Sequence, residues 1–228
     1  MMSGDRAVIY DFHTHSLYSD GALLPVELAR RVVVNGYRAL AITDHVGPGN
    51  CEEVLRKLIV DCEICRQRMG LLAIPGVEVT HVPPSAIAAV ARQAKAAGAG
   101  IVVVHGETLV EPVEPGTDRA ALESPDVDLL AHPGLITLEE ARLAAERGIF
   151  LEISCRQGHS LSNGHVARMA RQAGAKLLVN TDSHAPGDLL KPGWARQVAL
   201  GAGLKEDEIE QILQRHPLLL IEKLGFSL

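Results

Sequence analysis

Seven short apolar, β-branched runs recur along the sequence, at 7–12, 39–43, 71–79, 100–104, 127–131, 149–153 and 176–180. Between them lie alanine-, arginine- and glutamate-rich stretches with helical character at 25–34, 52–69, 84–97, 138–147 and 165–173. Pro25 stands at the start of the first helix, and Gly36, Gly98, Gly148 and Gly174 stand just beyond helix ends, where a left-handed residue stops the helix. Strands that alternate with crossover helices must pair in parallel. Near-continuous apolar strands such as Ile101-Val102-Val103-Val104 and Lys176-Leu177-Leu178-Val179 are read as buried on both faces. A barrel and a doubly wound open sheet both meet these conditions.

The polar residues separate the two. His13 and His15, Asp44 and His45, Glu78, His105, His132, Glu152, and Asp182 and His184 each fall at or just past the C-terminal end of a strand. A barrel gathers every such end around one mouth, whereas an open sheet leaves its outer strands too far apart to share a site. The expectation is a distorted, seven-stranded (β/α)7 TIM-like barrel, with 204–228 as one or two closing helices and 1–228 as a single domain.

A hydrophobic fraction of 47% with 22% charged residues is that of a folded chain. An aromatic content of 3% leaves little material for stacking bases, and a net charge of −6 opposes binding to a phosphate backbone. Nucleic acid is therefore not expected as an obligate partner. No apolar run approaches the length of a membrane span, and residues 1–5 lack a signal-peptide pattern, so a cytoplasmic location is expected. Four irregularly spaced cysteines do not make a disulfide framework. Cys62 and Cys65 form a C-x-x-C inside a helical stretch with no second pair, which reads as two small helical residues.

On a strand, side chains two apart share a face, so His13 and His15 can reach one ion. Asp182 and His184 repeat that spacing at the last strand, and Asp20 and Glu78 add carboxylates able to cap or bridge ions. Each alone would pass for an ordinary polar residue. Gathered at one barrel mouth, buried imidazoles and carboxylates without partners are costly, and metal ions are the usual remedy.

The successive segments His13-Thr14-His15-Ser16-Leu17-Tyr18-Ser19-Asp20-Gly21, Thr43-Asp44-His45, Gly76-Val77-Glu78, His105, Ala131-His132-Pro133-Gly134 and Thr181-Asp182-Ser183-His184 resemble, in order, the motifs of the PHP (polymerase and histidinol phosphatase) family. The resemblance implies a distorted seven-stranded barrel and three divalent ions, of zinc, manganese or iron. It implies that His13, His15, Glu78 and Asp182 hold one ion, with Glu78 bridging to a second completed by His105 and His132. Asp20, His45 and His184 would hold the third; some relatives carry histidine where Asp20 stands. Glu78, Asp182 and His184 are the residues expected to serve the chemistry.

Six positive charges against three carboxylates would make the pocket locally positive in an acidic protein, and a small phosphorylated substrate would be drawn to it. The activity implied is hydrolysis of a small phosphomonoester of the histidinol phosphate type. Relatives with a similar Ser-Asp-Gly act on nucleoside bisphosphates or RNA 5′ ends. Arg156, with its fork of donors, is the candidate phosphate clamp, and His81 on the rim and His159, in a segment expected to overhang the mouth, are candidate substrate contacts. Arg119 is a second candidate clamp. Asp44 and Glu152 are read as partners that orient ligating histidines, and His216 as structural. Two other classes remain open: an amidohydrolase-type barrel that cleaves C–N bonds, and a non-catalytic scaffold.

Overall fold

The computed structural model describes residues 8–228, so Ala7 of the first apolar run and residues 1–5 lie outside the described residues. Each apolar run forms a strand: β1 (Ile9–Asp11), β2 (Tyr37–Ile42), β4 (Leu72–Val79), β5 (Ile101–His105), β6 (Leu129–Ala131), β7 (Phe150–Ser154) and β8 (Leu177–Asn180). A two-residue strand that the sequence reading did not foresee, β3 (His45–Val46), pairs with the end of β4. The order β1-β2-β4-β5-β6-β7-β8 is parallel throughout.

The seven strands make a nearly closed barrel, and the join between first and last strand is where it is distorted. β1 and β8 meet only near their C-terminal ends, through a parallel bridge between Thr14 and Ser183. There Asp182 N donates to His13 O at 2.9 Å and His15 N donates to Ser183 O at 2.8 Å. The Asp11 carboxylate accepts from Thr181 N and Oγ1 at 3.1 and 2.6 Å, and Asn180 Oδ1 accepts from Phe12 N at 3.0 Å. Side chains thus complete a seam that the ladder leaves open, at the end where the polar residues lie.

Strand alternation sets what the barrel interior contains. Ala39 and Ala41, Leu72 and Ile74, Ile101 and Val103, Leu129 and Ala131, Phe150 and Leu178 fill it as one apolar cluster. Two residues further along the same inward rows stand Glu78 (after Gly76), His105, Glu152 and Asn180. The core therefore ends in a layer of titratable groups. Gly76 is needed in that row, because a Cβ there would collide with Ile101. At the opposite end, α9 (His216–Lys223) closes the barrel with Leu220 and Ile221.

The helices α1 (Pro25–Asn35), α2 (Cys51–Met69), α3 (Pro84–Ala96), α5 (Leu138–Arg147) and α6 (Asn163–Ala173) form the outer layer near their expected bounds. Thr137 and Glu140 cap α5 reciprocally. Cys62 and Cys65, on the inner face of α2, are buried in the core. Two helices differ from expectation. The segment around Thr117 and Arg119, read as loop, forms α4 (Thr117–Glu123), and α7 (Trp194–Gly201) precedes the expected tail. The tail itself runs as α8 (Glu206–Glu210), one π-helical turn and α9. No helix among the described residues is long and apolar enough to cross a membrane.

Far from the mouth, buried Asp128 accepts from Val102 N at 3.0 Å and Lys95 Nζ at 2.6 Å. Asp128→Ala leaves that amide unpaired in the interior, and urea titration is expected to show a loss of about 2 kcal/mol.

Candidate metal centre

All nine expected ligands converge on the C-terminal mouth. His13 Nε2 lies 3.3 Å from Glu78 Oε1, and His15 Nε2 lies 3.1 Å from Asp182 Oδ1. On the other side of Glu78, its Oε1 is 3.2 Å from His105 Nδ1 and 3.6 Å from His132 Nε2. Asp20 Oδ1 faces His45 Nε2 at 3.4 Å and His184 Nε2 at 3.2 Å, and His45 Nδ1 is 2.7 Å from Glu78 Oε2. Glu78 thus stands between all three groups. Donor atoms of His15, Asp20, His45 and His184, of His13, His15 and Glu78, and of Glu78, His105 and His132 each lie within 4.8 Å of one another, close enough to share an ion.

Whether the residues suit cations is tested by their hydrogen bonds. His13 Nε2, both nitrogens of His15 and of His132, His105 Nε2 and Asp182 Oδ1 are buried with no well-aligned hydrogen-bond partner, although His15 Nε2 approaches Asp182 Oδ1 at 3.1 Å and His105 Nε2 approaches Glu111 at 3.0 Å. Native interiors rarely tolerate so many orphaned polar atoms in one place, and divalent ions satisfy this donor set. The backbone gives a second sign. The described residues other than glycine with positive φ are His81 (51°), His132 (25°) and Asp182 (52°), and all three face this mouth. Such conformations persist where the surrounding structure imposes them, and they cluster at functional sites.

A layer of partners fixes the ligands. Glu152 Oε2 is 2.8 Å from His13 Nδ1 and accepts from Asn180 Nδ2 at 3.0 Å, which turns His13 Nε2 to the cluster. Asp44, expected to orient a histidine, instead accepts from Ser16 N, Ser16 Oγ and Ser19 Oγ at 2.7, 2.6 and 2.6 Å, and so shapes the loop that presents Asp20. Gly21 lets that loop fold back, since a Cβ there would strike the His15 carbonyl. Thr80 Oγ1 meets His45 Nδ1 at 2.7 Å, and the Asp182 carbonyl lies 2.9 Å from His184 Nδ1. Glu152→Ala is expected to weaken metal binding by about 10–100-fold in chelator competition, with the circular-dichroism spectrum preserved.

The electrostatics follow from crowding charges in a dry place. Burial alone would raise Glu78, but the imidazoles of His13, His105 and His45 outweigh it and hold the carboxyl well below its ordinary value. For Asp182 burial wins, pushing it up to about 7. Burial lowers His15 well below the usual imidazole range, which favours its neutral form.

The expected substrate contacts fare differently. Arg156 lies at the mouth, where Nη1 donates to the Asp182 carbonyl at 3.0 Å and Nε is 3.5 Å from Asp182 Oδ2. His81 is on the rim, 3.4 Å from Glu111 Oε2. His159 is buried rather than overhanging, stacked on His132 with ring centroids 4.0 Å apart and held by Thr108 Oγ1 at 2.6 Å. Arg119 is a correction: it is exposed, pairs with Glu123 one turn on in α4, and does not line the space at the mouth. His165 and His216 bond backbone carbonyls of Ile136 and Leu177.

One residue escaped the sequence reading. Glu111 lies 3.0 Å from His105 Nε2 and 3.5 Å from His159 Nε2, and the adjacent His105 imidazole holds its carboxyl down at about 2. No spacing signalled it, because it sits between Val110 and Pro112 in an irregular loop. Together with Asp20, His45, Arg156, Asp182 and His184 it lines a cavity of about 270 Å³.

No family model matches the sequence. An uncharacterized protein of Methanocaldococcus jannaschii is 48% identical over 94% of this chain and 99% of its own length. The 5'-3' exoribonuclease Rnm of Escherichia coli is 30% identical over 76% of this chain, which spans 52% of that enzyme. Ribonuclease P protein component 3 of Methanosarcina mazei is 26% identical over 94% of this chain and 89% of its own length. A protein of a Thermoanaerobacter species named a probable phosphatase is 28% identical over 88% of this chain and 89% of its own length. Among solved structures, the hisK protein of Listeria monocytogenes, which carries the name histidinol phosphatase, superposes with a TM-score of 0.58 over 79% of this chain and 97% of its own, at 12% identity. With the ordered motifs at the strand ends, the barrel that gathers them and these relatives, the chain belongs to the PHP family of metal-dependent phosphoesterases.

Proposed function

We propose that this protein hydrolyses a small phosphomonoester of the histidinol phosphate type at a site for three divalent ions. The observation that carries this reading is the set of buried, unpartnered ligand atoms around Glu78, opening onto a cavity of about 270 Å³. Ions held there would supply Lewis-acid stabilisation of the phosphoryl oxygens and a nucleophile at neutral pH. The chain's own part is to hold and orient. His13, His15, Glu78 and Asp182 would take one position, Glu78, His105 and His132 a second, and Asp20, His45 and His184 the third. His184 Nδ1 lies between the Asp182 carbonyl at 2.9 Å and Arg156 Nη1 at 2.7 Å, and its Nε2 faces Asp20. Arg156, half-buried at the mouth, would offer its guanidinium to a phosphate oxygen. His159 and His81 flank it, one buried and one on the rim.

The same site could serve nucleoside bisphosphates or RNA 5′ ends, and the likeness to the exoribonuclease favours keeping that reading second. A C–N hydrolase is disfavoured by Glu78 on the third long strand and by His105, not lysine, ending the fourth. A scaffold role is disfavoured because all nine ligand positions are filled, an arrangement that is costly without ions.

The test is phosphate release by manganese- or zinc-loaded protein from histidinol phosphate and from a nucleoside 3′,5′-bisphosphate. Turnover of histidinol phosphate supports the proposal, and turnover of the bisphosphate alone moves the assignment to the second reading. Release from neither, with ions bound, overturns both.

A further inference from the structure

Next to the phosphoryl cavity lies a larger recess of about 600 Å³, lined by Arg156, Gln157, Thr181, His184, Asp188 and Trp194. The two spaces both border on Arg156 and His184, whose side chains meet at 2.7 Å (Nη1 to Nδ1), so a molecule with its phosphate at the ligand cluster would reach over that pair to enter the recess. The volume falls in the range of small-molecule pockets.

Trp194 is the chain's only tryptophan, and its placement is not explained by packing. Its neighbours Ala195 and Val198 pack against the hydrophobic core, and Ala199 is buried in it, whereas Trp194 remains 48% exposed. A tight turn presents it: Gly193 adopts a φ of 86°, and Trp194 N donates to Lys191 O at 3.0 Å at the start of α7. Polar edges face the same space. Asp188 Oδ2 is engaged by His184 N and Ala185 N at 3.0 and 2.9 Å, which fixes the carboxylate beside the recess and leaves Oδ1 without a hydrogen bond among the described residues. Gln157 adds an amide. A flat indole with hydrogen-bonding groups beside it is suited to a planar, nitrogen-bearing ring, and less so to an aliphatic chain or a polyol.

We infer that this recess is the leaving-group subsite, in which Trp194 stacks a flat nitrogen heterocycle carried by the alcohol part of the phosphomonoester. The inference rests on the phosphomonoesterase reading for its catalytic context, but the recess can be tested without turnover. Because Trp194 is the only indole, its fluorescence reports the site directly.

The metal-loaded protein is titrated with adenosine and, separately, with glycerol. Saturable quenching by adenosine and none by glycerol is expected. In parallel, kcat/KM is measured for adenosine 5′-monophosphate, histidinol phosphate and glycerol phosphate. Trp194→Ala is expected to lower the preference for the two ring-bearing substrates over glycerol phosphate by about tenfold, through KM, and Trp194→Phe to restore most of it. Absence of quenching, or an unchanged preference in Trp194→Ala, overturns the subsite. Quenching without turnover of any ester would sustain the subsite while the proposed activity fails.

Discussion

In Asp182→Asn, phosphate release is expected to fall at least about a hundredfold and the bound-ion content to drop below that of the parent, while the barrel stays folded. The carboxylate sits among His15 at 3.1 Å, His13 at 3.7 Å and His132 at 3.8 Å, so no other side chain reaches as many of the proposed ligands from the last strand. Loss of a partner that only orients a ligand already costs about 10–100-fold in affinity or activity, and a direct ligand should cost more. Asparagine is the informative replacement because φ at this position is 52°, a conformation that asparagine adopts more readily than most residues. Ion content by mass spectrometry and circular dichroism separate a lost site from a lost fold. Parental activity and ion content in this variant would remove the proposed cluster.

Stripping divalent ions with a chelator is expected to lower the thermal midpoint by at least about 5 °C. An ion bound only by the native state stabilises by roughly 2.7 kcal/mol at a hundred times its dissociation constant. For a chain of this length about 1 kcal/mol corresponds to roughly 2–4 °C. The orphaned atoms of His13, His15, His105, His132 and Asp182 are the structural ground, since burying them unpaired is what ion binding would offset. The shift should reverse on adding manganese or zinc and should shrink in Asp182→Asn. An identical midpoint with and without chelator would mean that these imidazoles and carboxylates are accommodated by one another alone.

Nearly all of the barrel was legible because its physics is local. Strand periodicity, apolar runs such as Ile101-Val102-Val103-Val104, and glycines beyond helix ends act within a few residues of themselves. The placement of His13, His15, Glu78, His105, His132, Asp182 and His184 at strand ends needed only that periodicity and the inference of closure. What was missed lies in irregular segments. Helix α4 follows a long loop and is only seven residues long, too short for a periodic signal. The loop that carries Glu111 has no period at all. His159 lies in a segment that read as overhang, yet its contacts with His132 and Thr108 bury it.

By itself the sequence determined the architecture, through residue identity and short-range spacing, and its ordered motifs carried the resemblance to the family and to its ligand types. Only the tertiary structure decided how the seam between β1 and β8 is completed, that Glu152 faces His13 from 139 residues away, and that Glu111 and Trp194 border the mouth. Those relations are set by chain closure and loop paths, in which residues remote in sequence meet through packing, and no local pattern encodes them.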